Sequence, residues 1–363
     1  MQLVDPGPLP HPLAASTDIS KLIRADYGTD GFFADLGREA LAGWDAWSAG
    51  WDAPLYHPDG VLMLSRQALV AGGFEGDSLR TLEDRGWDLE RLDAEALARR
   101  HPAWRLGPHA DGYLNPRGGW AESGAVVAHL LSLARAQGVV LNQGARVDGL
   151  MMQGDRVVGA TGPAGPMPAD AVVVAAGAWT PGLLPWLADR LHATGHPVLH
   201  FRPADPAPWR APHFLPWAAD IARTGFYGFP ANADGLVKIA NHGVGVRVSP
   251  DGPRDLPPGT HDHFRAFLVD ALPGLADAPV VGERLCLYCD TFDGDFWIAA
   301  DPERPGLVVA TGGSGHGFKF APVLGDLTAD AVEGTPGPWA WRFRWRAPGD
   351  RRTEDARHDG ELA

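Results

Sequence analysis

Cysteine is nearly absent: two residues in a chain of 363, too few for a disulfide framework and in keeping with a reducing cytoplasm. Positive charge is also short. Lys and Arg number 31 against 45 Asp and Glu, a formal net charge of −14, and the cations are scattered except near the C-terminus, which argues against a nucleic-acid partner. No apolar run approaches the roughly 20 residues that span a bilayer, so no membrane segment is expected. Met1-Gln-Leu-Val-Asp5 has no basic region followed by an apolar core, so no secretory signal is read. Internal repeats and low-complexity blocks are missing too.

What is present is an ordinary globular composition, 45% hydrophobic, on a chain longer than one comfortable core. One large domain or two interleaved domains are expected. The most unusual stretch is Val308 to Gly325. A β-branched run ends at Thr311, Gly312, Gly313, Gly315 and Gly317 follow, and an amphipathic helix pattern begins near Phe318. Strand, glycine loop, helix is a geometry in which backbone N–H groups approach a ligand closely, with unpaired donors at the helix start. His316 and Lys319 sit at that start; a tight turn without a ligand is the plainer alternative.

Elsewhere the chain reads as α/β. Gln2-Leu-Val-Asp-Pro6 looks like the end of a strand; Asp5 stands where the ribose-binding acid of a dinucleotide unit would, though taken alone a surface Asp before a Pro turn is the plainer reading. Ser16 to Arg24 reads as a partly buried segment carrying Lys21 and Arg24, with a solvated helix face as the plainer alternative. Helical patterns run through Phe33–Trp47, Ala71–Arg85, Leu92–Arg99, Trp120–Gln137 and Asp262–Leu272, and Val61–Leu64 reads as a strand. Asp170 to Trp179 reads as one continuous buried strand ending at Gly177, well placed for close approach to a cofactor. From Gly195 to Cys289 the pattern is strand-rich, suggesting an antiparallel sheet. There Lys238, Ala240 and His242 share one face, opposite Val237, Ile239 and Asn241; a lysine in that setting more often snorkels at a sheet edge than lies buried. Cys286 and Cys289 form a C-x-x-C spacing, but positions i and i+3 of a strand face opposite sides, so neither a disulfide nor a zinc site is expected. Trp341 to Arg346 reads as surface cover, and Asp350 to Ala363 as a mobile charged tail.

Together these segments resemble the D-amino-acid-oxidase-like family of FAD-dependent amine oxidases, in particular its sarcosine oxidase, N-methyltryptophan oxidase, pipecolate oxidase and fructosyl-amino-acid oxidase group. The resemblance is carried by Leu3-Val-Asp5, Lys21-Leu-Ile-Arg-Ala-Asp-Tyr-Gly28, Val172 to Trp179, Phe226-Tyr-Gly-Phe-Pro230, Gly235-Leu-Val-Lys238, Arg284-Leu-Cys-Leu-Tyr288 and, most specifically, Ser314-Gly-His-Gly-Phe-Lys-Phe320. It implies an α/β (α+β) fold. A discontinuous Rossmann-like FAD-binding domain would take residues 1–60, 115–190 and 290–334, a substrate lobe built on an antiparallel sheet 61–114 and 191–289, and a tail 335–363.

The resemblance also implies roles. Asp5 would bind the adenosine ribose, Cys286 would be thioether-linked to the flavin, and Gly313, Ser314, Gly315, His316 and Gly317 would wrap the flavin ring with Gly177 and Lys21 beside it. Lys238 would hold the site of oxygen reduction. Lys319 and Arg24 would clamp the substrate carboxylate, and Tyr227 and His242 would line the substrate pocket. The activity implied is oxidation of the C–N bond of a secondary-amine amino acid, with O2 reduced to H2O2. The first strand and G-x-G-x-x-G turn of the family are expected upstream of Gln2 and do not occur in this sequence; a translation start upstream of Met1 is favoured over a truncated, non-catalytic relic that binds a small carboxylate or a partner. A dehydrogenase using another electron acceptor is the remaining alternative.

Overall fold

Helix Gly31–Ser48 shows how the first third of the chain is built. Asp30 caps it by accepting from the Phe33 N–H at 3.2 Å, and Phe33, Leu36, Ala40, Leu41 and Trp44 recur at helical spacing to give one buried face. At Gly37 an added Cβ would lie 2.8 Å from the Ala25 Cβ, so the missing side chain lets the helix press onto the segment that carries Arg24. The computed structural model describes residues 1–350 and 352–358. The tail expectation at Arg351 and residues 359–363 lies outside the described residues.

The largest sheet has nine strands and is mainly antiparallel. Its spine is the ladder of Leu191–Phe201 against Val280–Thr291, which sets His196 opposite Cys286 and Ala193 opposite Cys289. Val237–Asn241 pairs with the other edge of Leu191–Phe201, then Phe226–Gly228, Trp217–Ala219, Val61–Ser65, Asp111–Asn115 and Glu90–Asp93 follow. Helix Thr260–Ala271 packs on this sheet through Phe264 and Leu268, in a core shared with Trp217, Val237 and Ile239. The smaller sheets are Gln2–Asp5 parallel to Val140–Gln143, Lys21–Ile23 with Gly119–Ala121 and Tyr56–His57, the meander over 149–168, and Val172–Val174 parallel to Leu307–Thr311.

Several expectations change. The continuous strand over Asp170–Trp179 is a three-residue strand, Val172–Val174; at Gly177 the chain takes φ +50° and turns into a short 3₁₀ segment. Val173 is exposed, so the apolar run is not covered on both faces. Gly119–Ala121 is a strand, and the helix after it begins only at Ser123. The segment at Lys21 and Arg24 is extended. Lys238 does not snorkel: its side chain is fully buried. The two cysteines are free and sit in different clusters, Cys286 with Val198, Ala240 and Tyr288, Cys289 with Trp297 and Val309.

The C-terminal segment departs furthest from its reading as a mobile tail. Ala356 and Arg357 are buried, the Glu354 side chain is 5% exposed, and Ala356 joins the cluster of Phe74, Tyr113 and Phe229. Its charges are paired inside the protein, which sequence alone does not reveal. Arg342, Arg346 and Arg352 of the same region converge on Asp293, Asp295 and Asp30.

Candidate active site

Strand Leu307–Thr311 delivers the glycine loop to the end of the large sheet, and a 3₁₀ turn at Phe318–Phe320 leads into helix Ala321–Glu333. Ser314 adopts φ +43°, held by its N–H to the Cys289 carbonyl at 3.0 Å and by its Oγ, which accepts from the Thr291 N–H at 3.2 Å. An added Cβ at Gly315 would lie 2.3 Å from the Tyr288 ring, so only glycine allows this approach. Gly313 and Gly317 face each other across the loop.

Below the loop lies a cavity of about 50 Å³, lined by Lys21, Leu22, Arg24, Ile221, Tyr227, His242, Gly315, His316, Phe318, Lys319 and Glu354. A larger hollow of about 890 Å³ opens elsewhere, over Arg91, Asp93 and Arg99, where Arg91 is already paired with Asp111. The small cavity is where the chemistry converges. Seven residues singled out from the sequence meet there: Lys21, Arg24, Tyr227, His242, Gly315, His316 and Lys319.

Hydrogen bonds fix most of these side chains. Lys319 Nζ donates to the Tyr27 hydroxyl at 3.0 Å and to the His316 carbonyl at 3.1 Å. His316 Nε2 faces the Gly294 carbonyl at 3.0 Å, an acceptor only, so it carries the proton and Nδ1 accepts from the Tyr27 hydroxyl at 3.0 Å. Burial pushes His316 down to about 4 and Lys319 down to about 7. His242 is likewise lowered by burial, and its Nε2 lies 2.6 Å from Glu354 Oε1. The Arg24 guanidinium rests over the Tyr27 and Phe74 rings at 5.1 and 5.5 Å, and its Nη1 has no partner among the described residues.

Lys238 sits on the sheet beside this cavity and outside its lining. Its Nζ is 2.7 Å from Asp18 Oδ2 and donates to the Ser20 carbonyl at 2.5 Å. Asp18 also faces His200 at 3.3 Å and Lys21 at 3.6 Å. Burial lowers Lys238 to about 7 against the opposing attraction of Asp18. Cys286 lies on the same face of its strand as Tyr288, whose ring stacks on His196 at 3.8 Å. Asp5 stands apart from the cavity, accepting from the Gly7 N–H at 2.8 Å. Gly177 is also outside the lining, with no heavy atom within 4 Å of the position its Cβ would take.

The family model for FAD dependent oxidoreductases of the DAO type matches residues 2–331. The chain belongs to this family. This FAD-dependent oxidoreductase is 30% identical to the N-methyl-L-tryptophan oxidase of Salmonella arizonae, over 90% of its own length and 87% of that protein's. The Salmonella typhi enzyme of the same name is 30% identical over 87% of this chain and 83% of its own. Among solved structures, the fructosyl amine:oxygen oxidoreductase Amadoriase I of Aspergillus fumigatus superposes with a TM-score of 0.81 at 25% identity, covering 95% of this oxidoreductase and 83% of that chain. Amadoriase II of the same organism, in complex with FSA, gives 0.83 at 25% identity over 99% and 88%.

The residues here fit the flavin end of FAD. Among the described residues Thr17 Oγ1 and Ser20 Oγ are buried without partners, and none has a heavy atom within 4 Å of the position a Cβ on Gly177 would take. Both features suit the polar edge of a planar heterocycle. Sequence reasoning missed Asp18, Tyr27, Glu354 and Arg357. Asp18 carried a signal, being the lone acid between Ser16 and Arg24; the C-terminal pair carried none.

Proposed function

We propose that this oxidoreductase oxidises the C–N bond of an amino acid bearing a secondary amine, with O2 as the electron acceptor and H2O2 as a product. The names of its relatives, N-methyl-L-tryptophan oxidase and fructosyl amine:oxygen oxidoreductase, support this substrate class. The observation that carries it is the pair of buried cations, Arg24 and Lys319, on the wall of one cavity with Tyr227 and His242.

FAD, when bound, supplies the hydride acceptor and the route for electrons to O2. The chain's residues supply position and charge. Arg24, through its free Nη1, and Lys319 clamp the substrate carboxylate, which fixes the carbon to be oxidised. Tyr27 and His316 hold Lys319 in that pose. Gly313, Ser314, Gly315 and Gly317 shape the loop against the flavin, with Lys21 beside it, and Asp5 receives the adenosine ribose. Lys238 places a positive charge where oxygen gains its first electron. Cys286 would form the thioether to the flavin.

The test is peroxide release from FAD-loaded protein offered N-methyl, cyclic and glycated amino acids. Turnover of one class with stoichiometric H2O2 is expected. Flavin reduction without peroxide would favour a dehydrogenase, and no flavin reduction by any member would overturn the reading.

A further inference from the structure

We infer that Glu354, on the C-terminal segment, is the substrate-selecting partner of Arg24: it receives the amine end of a zwitterionic amino acid whose carboxylate Arg24 and Lys319 hold. The inference rests on the amino-acid oxidase reading above and names a group outside its clamp.

Two oppositely charged side chains line this one cavity, and each has an atom with nothing to bond. Arg24 Nη1 and Glu354 Oε2 are both buried and without hydrogen-bond partners among the described residues. Glu354 Oε1 is satisfied by His242 at 2.6 Å. The nearest candidate for Oε2 is His316 Nδ1 at 3.6 Å, but that nitrogen already accepts from Tyr27 and presents no proton. An ionised carboxylate with a free, buried oxygen calls for a donor, and a cation satisfies it best. Burial alone would raise the Glu354 carboxyl; the hydrogen bond from His242 and the Lys319 charge oppose it, and the group is held well below the usual carboxylate range.

The fold shows that this segment is built in. Arg357, three residues on, makes a bidentate pair with Asp290 at 2.8 and 2.9 Å and donates to the Ser314 carbonyl at 2.9 Å, fastening the segment to the glycine loop. The His358 N–H donates to the His242 carbonyl at 3.0 Å. The cavity of about 50 Å³ has room for only a few water-sized groups, so it admits the polar end of a small ligand rather than the whole of one. A monocarboxylate without the amine leaves Oε2 unpaired and sets two anions near each other. Glu354 therefore selects for the amine, and selection of this kind comes from the group left unpaired by the wrong ligand.

The experiment compares isosteric pairs, sarcosine with butyrate and L-pipecolate with cyclohexanecarboxylate, by calorimetric binding to FAD-loaded wild type and Glu354→Gln. In wild type the amino acid binds and the amine-free acid binds weakly. In Glu354→Gln the amino acid weakens by about tenfold or more, while the amine-free acid holds or tightens. Loss of the carboxylate also lowers the bound amine's affinity for its proton, so the acid limb of flavin reduction moves to lower pH; a role in folding alone would not move it. Glu354→Asp, checked by thermal melting, restores the preference if the charge is what matters and guards against a misfolded Gln variant. Equal weakening of both members of each pair, or no change in either, overturns the inference. If wild type binds the amine-free acids as tightly as the amino acids, the inference fails and the oxidase reading stands; if no N-methyl, cyclic or glycated amino acid reduces the flavin, the oxidase reading itself fails.

Discussion

Lys238 and Asp18 form an enclosed ion pair, Nζ to Oδ2 at 2.7 Å, with both side chains at 1% exposure or less. A lone ammonium at this depth would shed its proton, and burial does bring Lys238 down to about 7. Asp18 opposes that fall. Removing the lysine charge with Lys238→Met is expected to slow reoxidation by O2 about a hundredfold while leaving reduction by substrate within a few fold, as measured by separate anaerobic and aerobic stopped-flow half-reactions. Asp18→Asn is expected to lower the Lys238 pKa further. Since lysine is charged only below its pKa, oxygen reactivity in Asp18→Asn will fall away at lower pH than in wild type. The variant also breaks a buried pair, a loss of about 3 kcal/mol in denaturant unfolding.

Lys319 sets a different pH limit. Burial lowers it to about 7, so in the free enzyme its charge is present below that value and lost above it. Binding of the substrate carboxylate follows the charge, and kcat/KM, which reports free-enzyme groups, is expected to decline as pH rises through about 7. Arginine stays charged throughout. Lys319→Arg should therefore abolish this limb even if its longer reach lowers the plateau, whereas Lys319→Met should lower kcat/KM about a hundredfold at all pH values. A limb that persists in Lys319→Arg assigns it elsewhere, Lys238 being the other group lowered to about 7.

Much of this site was legible because its chemistry is local in sequence. The run from Ser314 to Phe320 holds the loop, His316 and Lys319 together, and along Val237–Asn241 the alternation holds for Ala240, which packs with Cys286 and Tyr288, against Val237 and Ile239, which enter the other core. Burial was harder to read. Lys238 looked like an edge lysine because its counter-ion, Asp18, lies 220 residues earlier. The strand at 170–179 was overextended because an apolar run does not show where a positive φ at Gly177 will end it. Glu354 and Arg357 were invisible: a sequence of alternating charges after Gly349 has the composition of a solvated tail, and only the fold supplies His242, His316 and Asp290 as partners.

Cys286 is buried at 2% exposure, sharing a cluster with Tyr288, Val198 and Ala240. If its sulfur is joined to the flavin, acid precipitation of FAD-loaded wild type leaves flavin in the pellet, and Cys286→Ser releases it all to the supernatant. Cys289 serves as the control. It packs on the opposite face against Trp297, and burial raises its thiol to about 11, so Cys289→Ser is expected to retain bound flavin. Free flavin in the wild-type supernatant would remove the covalent role from Cys286.

Asp290 anchors Arg357, which also holds the glycine loop through the Ser314 carbonyl, and its effect is measurable as acid stability. Burial would raise its carboxyl, but Arg357 outweighs this and holds it at about 2, below its ordinary 3.8. A carboxyl lowered by folding contributes stability that is fully present above 3.8 and lost as pH falls through about 2. The difference corresponds to about 2 kcal/mol. Wild type is therefore expected to lose this increment across that acid window, and Asp290→Asn to show no such loss because it lacks the titrating group. At neutral pH Asp290→Asn leaves the Arg357 guanidinium buried without its partner, a cost of about 3 kcal/mol or more. Adding Arg357→Met should recover part of that loss, since the uncompensated charge is then gone. The double variant separates stability from selection: it loosens the segment carrying Glu354, so its preference for sarcosine over butyrate should shrink even where its melting temperature recovers. A double variant with wild-type preference would show that Glu354 keeps its place through His242 alone.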